Sequence, residues 1–101
     1  MAKSNLRIPV SETWYNLLKD GKAKLVYKEV LPDWTRLFTN CNEHEKDPMV
    51  LYNNLRDCET VTLYVPILKK EITFDVDYYD ICSGKQLGFT DGKHYFVVFL
   101  K

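Results

Sequence analysis

From Thr60 onward the chain keeps a period of two, and that constrains its fold more than any other feature. Val61, Leu63 and Val65 alternate with Thr60, Thr62 and Tyr64, and Ile72, Phe74, Val76 and Tyr78 alternate with Glu71, Thr73, Asp75 and Asp77. Successive side chains of a strand point to opposite faces, so each run buries one face and keeps the other polar. Pro66 to Lys70 joins the two runs at hairpin length. Gly84, Gly88 and Gly92 make a flexible connection into a last run, His94 to Leu100, which is apolar on both faces and so belongs in the middle of a core.

The first forty residues read differently. Leu6 to Val10 is a short strand whose Pro9 suits an edge or a strand end, because proline cannot donate to the ladder. Ser11 then caps a helix over 11–20, with Glu12 at its positive end, Trp14, Leu17 and Leu18 as one apolar stripe, and Gly21 as the left-handed residue that stops it. After Gly21 the period returns to two. Ala23, Leu25 and Tyr27 fall on one face, and Lys22, Lys24, Val26 and Lys28 on the other, which predicts a strand with a lysine-bearing side. Pro32 opens a second helix over 32–40 that buries Trp34, Leu37, Phe38 and Cys41. Residues 42–58 read as a helical insertion with loops, in which Asp47 and Pro48 start a short helix through Leu51 and Leu55. The order predicts one α+β domain over 1–101, a bent or closed, mainly antiparallel sheet with flanking helices.

Gly21, Tyr27, Lys28, Glu29, Pro32 and Trp34 fall where the signature of a known family has them. The stretch resembles the ASCH domain (activating signal cointegrator homology) of the PUA-like group, whose pattern reads Gly-x-Lys-x-x-Glu-x-Arg before a Pro-x-Trp-like segment. The likeness continues through Thr60 to Leu63, Asp80-Ile81, and Gly84-Lys85 followed by Gly88 and a closing aromatic strand. It implies a PUA-like β-barrel and a cleft for RNA or a nucleotide. Some members of the family are amidohydrolases acting on acylated cytidines, through a lysine and a polar or acidic residue of the signature strand with a glutamate from a later strand. Here those first two positions hold Ala23 and Val26, leaving Glu71 as the one candidate for the later carboxylate, so binding is the expected function and nucleoside amidohydrolysis a minor alternative.

Charge narrows the partners. Fourteen basic and fourteen acidic residues cancel, which excludes a uniformly basic body. Residues 1–36 nonetheless carry seven basic and four acidic groups, and residues 37–60 carry two and five. The expected ligand site is therefore a basic cleft on the signature stretch: Lys22, Lys24 and Lys28 for phosphates, with Tyr27, Glu29, Trp34 and Arg36 around them. Against it stands a solvated lysine face that only discourages aggregation. The acidic insertion suggests a second class of function, a protein-interaction module such as an effector encoded by a phage or mobile element. No cofactor is expected.

Other constellations lead to less. Cys41-x-x-His44 with Cys58 and Cys82 offers zinc-type donors, but the spacing beyond the first pair matches no familiar finger and Cys41 falls on an apolar helix face, so no metal is expected. His94 near Asp91 is a usable acid–base pair, though a histidine beside a turn more often bonds backbone. Nucleophile-elbow, P-loop and dinucleotide motifs are absent. Three cysteines without a signal peptide's apolar run predict a reducing, cytoplasmic setting. No apolar run approaches the roughly 20 residues of a membrane span.

Overall fold

The computed structural model describes residues 4–101. The elements are β1 (Asn5–Pro9), α1 (Glu12–Lys19), β2 (Leu25–Glu29), α2 (Pro32–Phe38), α3 (Pro48–Asn53), β3 (Thr60–Val65), β4 (Lys70–Ser83) and β5 (His94–Leu100), with a 3₁₀ turn at Lys85–Leu87. The strands form one mixed sheet in the order β1-β3-β4-β5-β2. β1 runs parallel to β3, with Leu6 opposite Val61 and Ile8 opposite Leu63, and β3 runs antiparallel to β4, with Leu63 opposite Ile72. Leu100 N donates to Lys24 O and Val30 N to His94 O, each at 2.9 Å, so β2 and β5 are antiparallel. The fold is thus the expected α+β class with a mainly antiparallel sheet. Among the described residues its strand order is linear, ending in β1 and β2, and no pairing closes a barrel.

The chain forms two compact units. One comprises the chain up to Leu25, Cys58–Tyr78 and Phe99–Lys101. Leu6 and Ile8 of β1 lie beside Val61 and Leu63 of β3, and all four are buried. α1 packs against β3 and buries Tyr15 and Leu18. Its start is as the sequence predicts, with Ser11 Oγ accepting from Trp14 N at 3.1 Å, and Gly21 at φ +73° follows its end. The apolar stripe is rotated from Trp14 and Leu17 toward Tyr15. Trp14 stays half-buried because its indole N–H has a task, donating to Leu25 O at 3.0 Å. The other side of β1, β3 and β4 is polar: Arg7 pairs with Glu71 at 3.0 Å and lies 4.9 Å over the Tyr64 ring, and the Thr62 and Thr73 hydroxyls meet at 2.8 Å.

The second unit comprises Val26–Asp57 and Tyr79–Val98. Phe38 of α2 stacks on Phe96 of β5 with ring centroids 4.9 Å apart, and each is 1% exposed. Thr39 leaves the helix in an extended conformation and forms an isolated bridge with Leu55, while its hydroxyl donates back to Thr35 O at 2.8 Å. That bridge ends α2 at Phe38 and takes Leu55 out of α3, which stops at Asn53. The start of α3 follows the sequence, with Asp47 Oδ1 accepting from Met49 N at 3.0 Å, and Leu51 is its buried anchor. The buried residues of α2 are Thr35 and Phe38, while Trp34, Leu37 and Cys41, expected there, are only partly covered.

Thr35 Oγ1 is buried and has no hydrogen-bond partner among the described residues. A buried hydroxyl left in that state costs about 1–3 kcal/mol, and valine has the same shape without the cost. Thr35→Val is therefore expected to stabilise the fold by about 1 kcal/mol, read as a higher urea midpoint at unchanged slope. A lower midpoint would show that the hydroxyl is satisfied in solution.

Candidate functional site

The signature stretch spans both units, and the structure separates its residues. β2 begins at Leu25, so Lys22 and Lys24 precede the strand and lie exposed in the first unit. Within the strand, Val26 is 1% exposed while Leu25 and Tyr27 are half-buried, the reverse of the expected facing. The antiparallel register explains it: Val26 falls opposite Val98, itself fully buried, and Lys28 falls opposite Phe96.

Lys28 accordingly lies on a largely covered face. Its stem is sheltered and its ammonium stands 4.8 Å over the Trp34 ring. Burial pulls its pKa below the ordinary lysine value. No carboxylate pairs with it among the described residues. Tyr27, on the opposite face, joins an aromatic cluster, meeting Phe89 edge-on at 5.5 Å and Tyr95 at 5.9 Å.

That cluster fixes the loop between β4 and β5. Gly84 N donates to Lys93 O and Phe89 N to Gly84 O, each at 2.8 Å, and Gly88 takes φ +88°. Asp91 Oδ1 accepts from Lys93 N at 3.1 Å and Oδ2 from the Tyr95 hydroxyl at 2.9 Å. Burial first, and then this bond to Asp91, raise the Tyr95 pKa. Both oxygens of Asp91 are thereby engaged by groups other than His94. The acid–base pair raised from the sequence is not assembled.

The loop delivers Lys93 to Glu29, Nζ to Oε1 at 3.1 Å. Around that pair opens a cleft of about 320 Å³, lined by residues 29–32, 43–46, Lys93 and His94. Val30, Leu31 and Pro32 give it an apolar stretch where β2 turns into α2. Glu43, His44, Glu45 and Lys46 come from the insertion, whose backbone is stiffened locally: Asn42 Oδ1 accepts from His44 N at 2.8 Å, and Glu45 Oε2 accepts from Lys46 N and Asp47 N at 3.0 and 3.2 Å. Arg36 borders it indirectly, held by Asp33 and, through Nε, by Glu43 at 3.2 Å.

The cleft is not basic. Three glutamates and two lysines line it, and the cation nearest by contact, Arg36, is already shared between two carboxylates. Of the seven residues the sequence pointed to, Glu29 alone lines it; Arg36 touches its wall, Lys28 and Trp34 pair with each other, and Tyr27 supports the loop behind Lys93. Lys93, Glu43, Glu45 and Lys46 carry no linear signal, and His94 and His44 were marked only for other roles, since a salt bridge between residues 29 and 93 is written only in the fold. Cys41, Cys58, Cys82 and His44 form no metal-binding group among the described residues. Compared with protein-family models, curated proteins and solved structures, the chain matches none.

Proposed function

We propose that this chain is an ASCH-like module of the PUA-like group, and that it binds RNA or a nucleotide-sized ligand by taking the base into the cleft at the β2–α2 junction. The barrel of that group, with the sheet closed between β1 and β2, is part of the same proposal. The observation that carries the reading is the cleft itself: its volume of about 320 Å³ lies at the lower end of small-ligand sites, about 300–1,000 Å³, and it opens from the signature stretch. Val30, Leu31 and Pro32 suit a planar ring. The glutamates accept from exocyclic amino and ring N–H groups, as carboxylates do from cytosine, and Lys93 donates to ring carbonyls.

With carboxylates outnumbering lysines along the walls, phosphate contributes little and the base carries recognition. Calorimetric titration with the four nucleosides and their 5′-monophosphates tests this. Affinities of each pair are expected to agree within about tenfold, with a slope of log K against log salt shallower than the roughly −0.7 that one released phosphate counterion gives. Glu29→Gln is expected to weaken binding about tenfold or more, the scale of a lost hydrogen bond to a charged group. No heat from any nucleoside at millimolar concentration would remove the reading. It would leave the protein-binding alternative, which the exposed Met49 (69%) and Tyr52 (51%) of α3 in the acidic insertion favour.

A further inference from the structure

Lys93 and Glu29 both line the cleft, and their side chains keep 59% and 27% of their exposure, so the ion pair between them stays open to a ligand. Lys93 Nζ meets Glu29 Oε1 at 3.1 Å, which leaves the ammonium two further protons to donate. Glu29 Oε2 accepts no hydrogen bond among the described residues. The other two glutamates of the cleft are held differently. Glu43 lies between Arg36 and His44, at 3.2 and 3.5 Å, and Glu45 Oε2 accepts from Lys46 N and Asp47 N.

Backbone contacts position the open pair from both sides. Val30 N donates to His94 O at 2.9 Å, which fixes the end of β2 against β5, and Lys93 is held through its N by Asp91 Oδ1 and through its O by Gly84 N. The pair therefore presents a donor and two acceptors side by side, in the order Nζ–H, Oε1, Oε2. The Watson–Crick edge of guanine is its complement: O6 accepts, N1–H and the 2-amino group donate, and a carboxylate takes two such adjacent donors bidentately. The other bases satisfy it only in part. Adenine and cytosine offer an amino donor beside a ring-nitrogen acceptor, which makes two bonds, and uracil follows O4 and N3–H with O2, an acceptor set against the second carboxylate oxygen.

We propose that this pair makes the cleft selective for guanine, with Lys93 donating to O6 and Glu29 accepting from N1–H and the 2-amino group. The proposal rests on the cleft reading above and adds which base is held and by which edge. The competing account is an ion pair that only ties the β4–β5 loop to β2, while the cleft takes any planar ring by apolar contact.

Calorimetric titration with the 5′-monophosphates of guanosine, inosine, adenosine, cytidine and uridine, up to millimolar concentration at one fixed salt, separates the two. Inosine differs from guanosine only in lacking the 2-amino group. Guanosine monophosphate is expected to bind about tenfold or more tighter than inosine monophosphate and than the other three, the scale of a lost bidentate contact. Methylation of guanine at N1 is expected to weaken binding at least as much, because it removes one donor and obstructs the edge. Glu29→Gln replaces one acceptor by a donor and is expected to bring the guanosine-to-inosine ratio close to one. Equal affinities for the guanosine and inosine monophosphates, or tighter binding of another base, overturn the proposal and leave the cleft reading standing. A guanosine preference that persists unchanged in folded Glu29→Gln overturns it as well, since another group would then read the edge. Absence of binding by all five removes the cleft reading and this proposal together. Should Glu29→Gln fail to fold, the ligand series on the wild type decides alone.

Discussion

Phe38→Ala is expected to cost about 3–5 kcal/mol, the range for truncating a buried phenylalanine. Its ring is 1% exposed and stacked on Phe96, so the substitution removes apolar area, an aromatic pair worth about 0.5–1.5 kcal/mol, and the filling of a volume that neighbours recover only in part. A domain of this size has about 5–15 kcal/mol in total, and the variant loses roughly 30–50% of it if the wild type lies near the middle of that range. Urea unfolding followed by tryptophan fluorescence measures the loss. Phe38→Leu, which keeps most of the volume, is expected to lose much less. A cost below 1 kcal/mol for the alanine variant would mean that α2 does not depend on the stack.

Gly84→Ala is expected to cost about 2–3 kcal/mol, the upper part of the range for overpacking, although nothing in its backbone demands glycine. Its φ of −55° and ψ of −36° suit any residue. The obstacle is steric: an added Cβ would collide with Asp91 Oδ1 and lie 3.1 Å from both the Asp91 Cγ and its carbonyl oxygen. Asp91 is poorly placed to retreat, because its two carboxylate oxygens hold Lys93 N and the Tyr95 hydroxyl. The clash therefore displaces the loop that carries Lys93 to Glu29. A double-mutant cycle isolates the cause, since Gly84→Ala is expected to cost far less in an Asp91→Ala background. Equal costs in both backgrounds would place the strain elsewhere.

Legibility in the sequence followed the range of the forces involved. Local chemistry was readable: the Ser11 and Asp47 caps, Pro32 at the head of α2, Gly21 past the end of α1, and the alternation that delimits Thr60–Val65 and His94–Leu100 all specify structure within a few residues. What depends on partners far along the chain was not. The facing of β2 is decided by its register against β5, so one valine among lysines turned inward and carried Lys28 with it. α2 stopped early because Thr39 found Leu55. The cleft followed the same rule, for Glu29 was visible within a motif while Lys93 and the 43–46 wall acquire meaning only when the fold brings them to it. Lysine spacing suggested one ridge, whereas the structure leaves Lys22 and Lys24 exposed ahead of β2 and draws Lys28 onto a largely covered face.

The strand order has a consequence for how such a chain assembles. Asn5 and Thr60, neighbours in the β1–β3 ladder, are 55 residues apart, whereas Thr62 and Thr73 across the β3–β4 hairpin are 11 apart. Closing the longer loop costs about 1.4 kcal/mol more by the logarithmic rule, so the hairpin has the lower entropic barrier. β2 waits longer still, because its ladder partner β5 is the last strand in the sequence. On a chain that emerges N-terminus first, β2 is made early yet its ladder partner is the strand farthest along the sequence. The relative contact order of the sheet is raised by these long pairings, β1 with β3 and β2 with β5, which places the fold among slower folders of its length.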